Sequence, residues 1–295
     1  MLRPHHLAAG LSFSLLVACG GGATDTGAAS SSAAPAAPAA SVGDASAPDS
    51  SDAPALPVAT AWRTTADIFP SHYDDELRGL VDGLAALPRV TGSHVTGDSP
   101  ARGRVWRIRT RASENQLFAL AFHESPIVRA YFAPSAIGSM PARYRELAPL
   151  LRDGTTVETF DYDIGGTATI ASLALDAFLE LPSSREIDDL LEAALDDDHV
   201  DPLVRMRAFE PWAERHRAAA RDVARRWLAS SSPVLLRAAI GMLGRVRDGA
   251  SQAAIASLSD HADPFVRGEV ATAMSLSRRE EAEPVVRGLA LTDPD

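Results

Sequence analysis

Asp201-Pro202-Leu203-Val204-Arg205 decides the fold, because this short phrase returns at a fixed interval along the chain. The other copies are Ser125-Pro126-Ile127-Val128-Arg129, Ser232-Pro233-Val234-Leu235-Leu236, Asp263-Pro264-Phe265-Val266-Arg267 and a final Asp293-Pro294-Asp295. The prolines of the last four copies, Pro202, Pro233, Pro264 and Pro294, are separated by 31, 31 and 30 residues. A period of this length is typical of an architecture in which small repeated units stack on one another.

Each phrase predicts the start of a helix. Asp or Ser offers a side-chain oxygen to the free amides of the first turn, and Pro suits the first helical position because its absent N–H is not needed there. Apolar residues follow at helical spacing, for example Leu235, Leu236, Ala239, Ile240 and Leu243. A second helix-sized segment, such as 219–230, lies between successive phrases. Each period is therefore predicted to be a helix pair, which must stack on its neighbours to bury its apolar stripe.

The phrases and the alanine-rich helices behind them resemble the HEAT-like repeats of bacterial proteins, in a short form of about 30 residues per unit. This resemblance implies an all-α solenoid. It also implies that the arginine of the phrase, present as Arg129, Arg205 and Arg267, ties neighbouring repeats together. Leu236 stands in its place in the third copy, so an interruption of the arginine ladder is expected there. The structural residues of the motif are Pro126, Arg129, Pro202, Arg205, Pro233, Pro264 and Arg267.

The predicted repeat domain covers residues 62–295 as a right-handed stack, and its period breaks once. Pro126 and Pro202 are 76 residues apart, which is about 14 residues more than two units. Helical patterns at 142–151 and 168–179 flank a segment rich in Gly, Thr and Asp. We interpret this segment, about 153–167, as a long inserted loop, and loops on rigid scaffolds often carry function.

The N-terminus is typical of an exported lipoprotein. Arg3 precedes a short apolar run, which is too short to span a bilayer but suits the core of a signal peptide. Leu16-Val17-Ala18-Cys19 resembles a lipobox, which implies that residues 1–18 are removed and that Cys19, the single cysteine, is the lipid-attachment site. Gly20 after it favours the outer membrane by the rule of that family. An ordinary secretory peptide is the alternative interpretation.

Residues 19–61 are predicted to form a disordered linker behind the lipid. They are rich in Ala, Ser and Pro and contain few large side chains, so the segment has too little apolar surface to offset its ordering entropy.

Arginines are concentrated in one short segment of the repeat domain. Five of them lie between Arg102 and Arg111, interleaved with Val105, Trp106 and Ile108. A solvated helix face is the interpretation that we adopt, with a patch for anions or lipid headgroups as the alternative. Ser113 and Gln116 next predict a capping box at the start of a helix.

The residues that enzymes and metal sites use are sparse. The chain has no lysine, its one cysteine is assigned to the lipid, and it has no Gly-x-Ser-x-Gly elbow. Asp161 and Asp163 have too few oxygen ligands beside them for a calcium loop, and no His or Cys pair has the spacing of a zinc site. We therefore predict no catalytic residue, no metal and no cofactor.

Charge argues against nucleic acid. Removal of residues 1–18 takes away Arg3 and no acid, so the mature chain would have 27 arginines against 39 acidic residues and a formal charge of −12. Such a field repels phosphate.

The resulting hypothesis is a non-catalytic scaffold, tethered by lipid in the bacterial cell envelope, that binds a protein partner and no small-molecule substrate. Contacts are expected on the exposed positions of the helices that begin at the motif prolines. One alternative is an accessory enzyme or lyase-like subunit with a site near 153–167, and another is a purely structural spacer. Because the sequence stops at the opening of a further copy, we also expect the reading frame to continue.

Overall fold

Helices that pair across short turns make up most of the computed structural model, which describes residues 56–57, 61–91, 99–161, 164–277 and 285–288. These residues all fall within one compact unit, Ser50–Asp295. The predicted signal peptide, Cys19 and most of the predicted linker lie outside the described residues, so these predictions remain as they stand. No helix among the described residues has the length and apolar character needed to cross a membrane.

The first part of the described chain carries four helices and one short strand: α1 (Thr65–Ile68), α2 (Asp75–Ala85), β1 (Val90–Thr91), α3 (Pro100–Arg111) and α4 (Glu114–Leu120). Ser113 and Gln116 form the predicted capping box at the start of α4, since each side chain accepts a hydrogen bond from the other residue's backbone amide. Helices α1 to α4 share a core with one side of the next helix, through Val128 and Phe132.

The remainder is a series of helix pairs: α5 (Pro126–Ser139), α6 (Tyr144–Leu147), α7 (Ile170–Leu179), α8 (Arg185–Asp196), α9 (Pro202–Arg215), α10 (Arg217–Trp227), α11 (Pro233–Arg245), α12 (Gln252–Ala256) and α13 (Pro264–Ser277). Helices α5, α7, α9, α11 and α13 pack side by side in that order and form an inner layer. Helices α4, α8, α10 and α12 each pack on the inner helix that follows them and form an outer layer. One continuous apolar core runs between the two layers, as the stacked architecture predicts.

The segment interpreted as a loop at 153–167 is a β-hairpin, so that interpretation was wrong. Strands β2 (Thr156–Asp161) and β3 (Ile164–Thr169) pair antiparallel, with Thr156 opposite Thr169, and β1 adds to β2 in parallel. The hairpin lies between a 3₁₀ segment, Ala148–Arg152, and α7. The hairpin therefore accounts for the extra residues between Pro126 and Pro202. Helix α7, which follows it, occupies the inner-layer position between α5 and α9.

Residues 56 and 57 are held against the outer layer beside α6 and α8. The side chain of Leu56 is buried, and the guanidinium of Arg152 donates to the carbonyl oxygens of Leu56 at 3.2 Å and Pro57 at 3.1 Å. The same guanidinium pairs with Asp197 in the turn after α8. The chain that precedes the repeats is thus fixed on them at this point, so the predicted disorder of 19–61 was wrong for residues 56 and 57.

Candidate functional site

The motif prolines occupy the first position of their helices. Pro126, Pro202, Pro233 and Pro264 begin α5, α9, α11 and α13, all in the inner layer. Asp201 and Asp263 cap their helices, since each carboxylate accepts from the amide two residues later at 2.8 Å. The expectation that serine does the same was wrong, because Ser125 and Ser232 make no side-chain cap.

The arginine of the phrase holds the turn between the two helices of a pair. Nη1 of Arg129 donates to the carbonyl oxygens of His123 and Glu124 at 2.7 and 2.9 Å. Nη1 of Arg267 donates to the corresponding carbonyls of His261 and Ala262 at 3.0 and 3.2 Å. The guanidinium thus joins the turn to the inner helix that follows it. This contact lies within one repeat unit.

Arg129 also reaches the next unit, as the resemblance implied. Its Nε donates to Asp153 Oδ2 at 2.7 Å and its Nη2 to Thr155 Oγ1 at 3.1 Å, just before the hairpin. Arg205 instead bonds the carbonyl of Leu195 and the carboxylate of Asp198, both within its own helix pair. In the third copy Leu236 is buried in the apolar core, so the arginine ladder is interrupted there.

A histidine two residues before the phrase was missed by the sequence analysis. His123, His199 and His261 all stand at this spacing, so the full phrase reads His-x-Ser/Asp-Pro-x-Val-Arg in three copies. Nδ1 of His123 accepts the amide hydrogen of Ser125 at 2.9 Å, and Nδ1 of His261 does so from Asp263 at 3.0 Å. His199 is solvent-exposed and departs from this pattern. The repeated spacing was visible in the sequence and would have revealed the histidine.

His123 is buried and joins the first helices to the repeats. Its Nε2 lies 2.9 Å from Thr65 Oγ1, and the backbone of Arg63 pairs with Phe122 and Glu124 on either side of it. Burial is the main cause that lowers the pKa of His123 below 6.5; Arg129 acts in the same direction, while Glu124 and Asp82 oppose it. The ring of Trp62 also stacks on the guanidinium of Arg129, with the Cζ atom 4.0 Å from the ring centroid. This region thus connects the first helices to the repeats.

A groove of about 730 Å³ lies on the face of the inner layer between α9 and α11, and we call it the α9–α11 groove. It reaches the first turns of α10 and one residue of α13, Glu269. Its apolar side chains come from the two inner helices, and its charged side chains stand around them. The apolar members are Leu203, Met206, Phe209, Ala213, Val234, Ala238, Met242 and Val246, and the charged members are Glu210, Glu214, Arg217, Arg221, Arg237, Arg245 and Glu269.

The variable position of the phrase supplies exposed apolar side chains at this face. Leu203 is 50% exposed and Phe265 is 67% exposed, while Val234 between them is partly buried. All three follow the motif proline, so the repeat places them at the same register of neighbouring helices. Arg237 lies over the ring of Phe265, 5.2 Å from its centroid, and connects this row to the groove.

The arginines that line the groove differ from neighbouring arginines in their ion pairing. Five arginines between 202 and 245 pair with aspartates: Arg205, Arg207, Arg215, Arg225 and Arg226. The other four, Arg217, Arg221, Arg237 and Arg245, line the groove, and none of them has an ion pair within the described part of the chain. Unpaired guanidinium groups beside apolar side chains suit a ligand that brings both carboxylates and apolar contacts.

The structure therefore brings together some of the predicted surface. Helices α9, α11 and α13 lie side by side, and two of them form the groove. Helix α5 lies in the same inner layer, but it is separated from α9 by α7. That helix begins after the hairpin and has no phrase.

Other predicted positions supply no site. The side chain of Asp161 and all of Asp163 lie outside the described residues, as does Cys19. Among the residues that the structure describes, no group of three or more His, Cys, Asp or Glu side chains is arranged to hold a metal ion. Asp153 is committed to its buried pair with Arg129.

Stacked helix pairs with a continuous core define the class as a helical-repeat protein. Within it, residues 221–295 match the family model of HEAT repeats, which covers α11 to α13 and most of α10. Among the curated proteins and the solved structures compared, none matches the chain. The match supports HEAT-like repeats in the C-terminal quarter, and such repeats are typical of non-catalytic scaffolds.

Proposed function

We propose that the chain is a non-catalytic scaffold, tethered in the bacterial cell envelope through a lipid on Cys19, which binds a protein partner in the α9–α11 groove. The tether is motivated by the sequence Leu16–Cys19 and by the polar linker behind it. An outer-membrane location follows from Gly20 under the family rule. The groove carries the binding part of the proposal.

The single observation that supports partner binding most strongly is the pairing of arginines. Aspartates hold five of the nine arginines of this region, while the four that line the groove are left to solvent. A guanidinium that is exposed and has no ion pair within the described residues can pair with a carboxylate on another molecule, and Arg is enriched at protein interfaces.

Shape and apolar content agree with a protein ligand. The groove is open and extends across two helices, which suits a segment of polypeptide better than an enclosed small molecule. Leu203 and Phe265 present apolar side chains at one end, so the matching segment should carry apolar residues there and carboxylates beside the arginines.

Detergent extraction of the tagged full chain from native membranes tests this proposal. The wild type should co-purify with a protein in near-stoichiometric amount, and the double variant Leu203→Asp/Phe265→Asp should lose it, because buried carboxylates would oppose apolar contact. Tyr73→Asp is the control, since Tyr73 is also a large exposed side chain but lies outside the groove. The Cys19→Ser chain should leave the membrane fraction in a high-salt wash, which also screens ionic contacts with lipid headgroups.

Two results would contradict the proposal. A partner that stays bound to the groove variant would remove the groove from the binding surface. A preparation free of any partner would contradict the scaffold itself.

A further inference from the structure

A second surface, far from the groove in sequence, is strongly basic. Helix α3 contains five arginines and neither Asp nor Glu, although the chain as a whole has a formal charge of −11. Its buried side is formed by Ala101 and Ile108, which pack in the core with α2. Every basic side chain on the opposite side is therefore presented outward by a helix whose orientation the core fixes.

An exposed tryptophan stands among these arginines. Trp106 is 66% exposed, and Arg102 and Arg109 are four residues before it and three residues after it, so the three share one face of the helix. Arg107 is exposed next to this face. We call Arg102, Trp106, Arg107 and Arg109 the α3 face.

The guanidinium groups of the α3 face have no ion pair or hydrogen bond within the described residues, whereas that of Arg111 at the end of the helix pairs with Glu76. Asp98, which precedes the helix, lies outside the described residues. A solvated face, our interpretation from the sequence, explains exposed arginines. It does not explain a large aromatic ring that is two-thirds exposed between them, because burial of such a ring is favourable.

We propose that the α3 face binds an anionic lipid surface. Guanidinium groups form strong, often bidentate hydrogen bonds with phosphate oxygens. The tryptophan ring is the side chain most suited to the boundary between headgroups and acyl chains, because its body is apolar and its N–H is polar. Arg102, Arg107 and Arg109 thus contact headgroup phosphates while Trp106 enters the boundary.

Local charge decides this contact in spite of the acidic chain. At physiological ionic strength charges are screened over about 8 Å, so a membrane responds to the α3 face and not to distant aspartates. A nucleic acid is the less suitable anion, because a duplex offers no apolar layer to receive the ring of Trp106. This inference does not depend on the groove or on lipid at Cys19.

Vesicle sedimentation with the full-length Cys19→Ser chain tests the proposal without an acyl anchor. The chain should bind vesicles of phosphatidylcholine and phosphatidylglycerol in equal parts, and should bind pure phosphatidylcholine weakly. Replacing Arg102, Arg107 and Arg109 with Gln should weaken partitioning on the order of 100-fold, since each basic residue near the surface contributes about a factor of five. High salt should reduce binding in the same direction.

The matched control replaces Arg145, Arg185 and Arg226 with Gln, which removes the same charge from three exposed positions of other helices. It should bind vesicles like the parent. A second readout is Trp106 itself: vesicles should shift the fluorescence emission to the blue, and Trp106→Phe should abolish the shift while Trp62→Phe retains it.

The proposal is overturned if the parent ignores anionic vesicles at low salt, or if the control variant loses as much binding as the α3 variant. Equal or tighter binding to a DNA duplex or to an acidic protein, again lost in the α3 variant, would assign the face to that partner instead. Loss of the partner protein from the α9–α11 groove would leave the binding of anionic vesicles unchanged.

Discussion

Arg129 and Asp153 form a buried ion pair, with 2.7 Å between Nε and Oδ2 and both side chains almost wholly inaccessible to solvent. Arg129 belongs to the first copy of the phrase, and Asp153 precedes the hairpin. Two backbone carbonyls and a threonine hydroxyl accept three further hydrogen bonds, so four of the five N–H donors of the guanidinium have partners. The pair joins two repeat units where the period breaks.

Truncating one partner should therefore be costly. Arg129→Met leaves the Asp153 carboxylate buried and unpaired, and we expect a loss of about 3–5 kcal/mol in the free energy of unfolding. Urea titration followed by tryptophan fluorescence measures it, because Trp212 and Trp227 are buried in the core. Arg226→Met, which breaks an exposed pair with Asp196, should cost about 0–1 kcal/mol. The double replacement of Arg129→Met with Asp153→Leu should recover most of the loss. Equal losses for Arg129→Met and Arg226→Met would contradict this account.

His123 makes stability depend on pH. Its pKa in the folded chain is lowered by burial, so between that value and 6.5 the unfolded chain binds more protons. Its contribution to stability is therefore complete above pH 6.5 and is lost as the pH falls below it. Thermal unfolding from pH 7.5 to 5.5 should show a smaller decrease for His123→Asn than for the wild type.

His199→Asn is the control for that measurement. Its side chain is exposed, and its variant should keep the wild-type dependence on pH. If the slope of the melting temperature against pH were the same in the wild type and in His123→Asn, the pKa of His123 would not be lowered in the folded chain.

Gly244 allows α11 to approach α13 closely. A Cβ atom at this position would lie 2.6 Å from the Cβ of Ala273 and 2.9 Å from its Cα, so Gly244→Ala should destabilise the chain by about 1–3 kcal/mol. Gly268 in α13 has open space around it, and Gly268→Ala should stabilise by up to about 1 kcal/mol through helix propensity. Opposite shifts in the urea midpoint are expected, and shifts of the same sign would show that the helices can move apart.

Arg247 adopts a left-handed backbone conformation, with φ of 51°, after the end of α11. The amide of Asp248 bonds the carbonyl of Leu243 and the amide of Arg247 bonds that of Gly244, which is the Schellman arrangement that usually has Gly at this position. Arg247→Gly should raise the free energy of unfolding by about 1 kcal/mol. Arg247→Ala should give no such gain; if it gives the same gain, charge and not backbone strain is responsible.

The sequence predicts the inner-layer helices well because their start signals are local. An Asp or Ser followed by Pro limits where a helix can begin, and neighbouring copies confirm the period. The hairpin is harder to predict, because its Gly, Thr and Asp residues are also typical of a loop. Thr156–Phe160 nevertheless contains three β-branched residues and one aromatic residue, which favours a strand.

The site was less predictable because it depends on contacts between distant residues. His123 meets Thr65 58 residues away, and no local pattern encodes that pairing. The same holds for the groove: Arg215 and Arg217 look alike in the sequence, yet only Arg215 finds an aspartate, Asp188, in the folded chain. Which arginines are left unpaired is a property of the packing.

The central claim is that the α9–α11 groove holds a protein partner, and site-specific photocrosslinking in living cells tests it most directly. A photoreactive residue would replace Leu203, Val234 or Phe265 in turn, with Tyr73 and Arg185 as exposed control positions. We expect one cross-linked protein of the same mass from Leu203 and Val234, which line the groove, and from Phe265 beside it, and none from the controls. Cross-links that are equal at groove and control positions, or absent from the groove, would contradict the account.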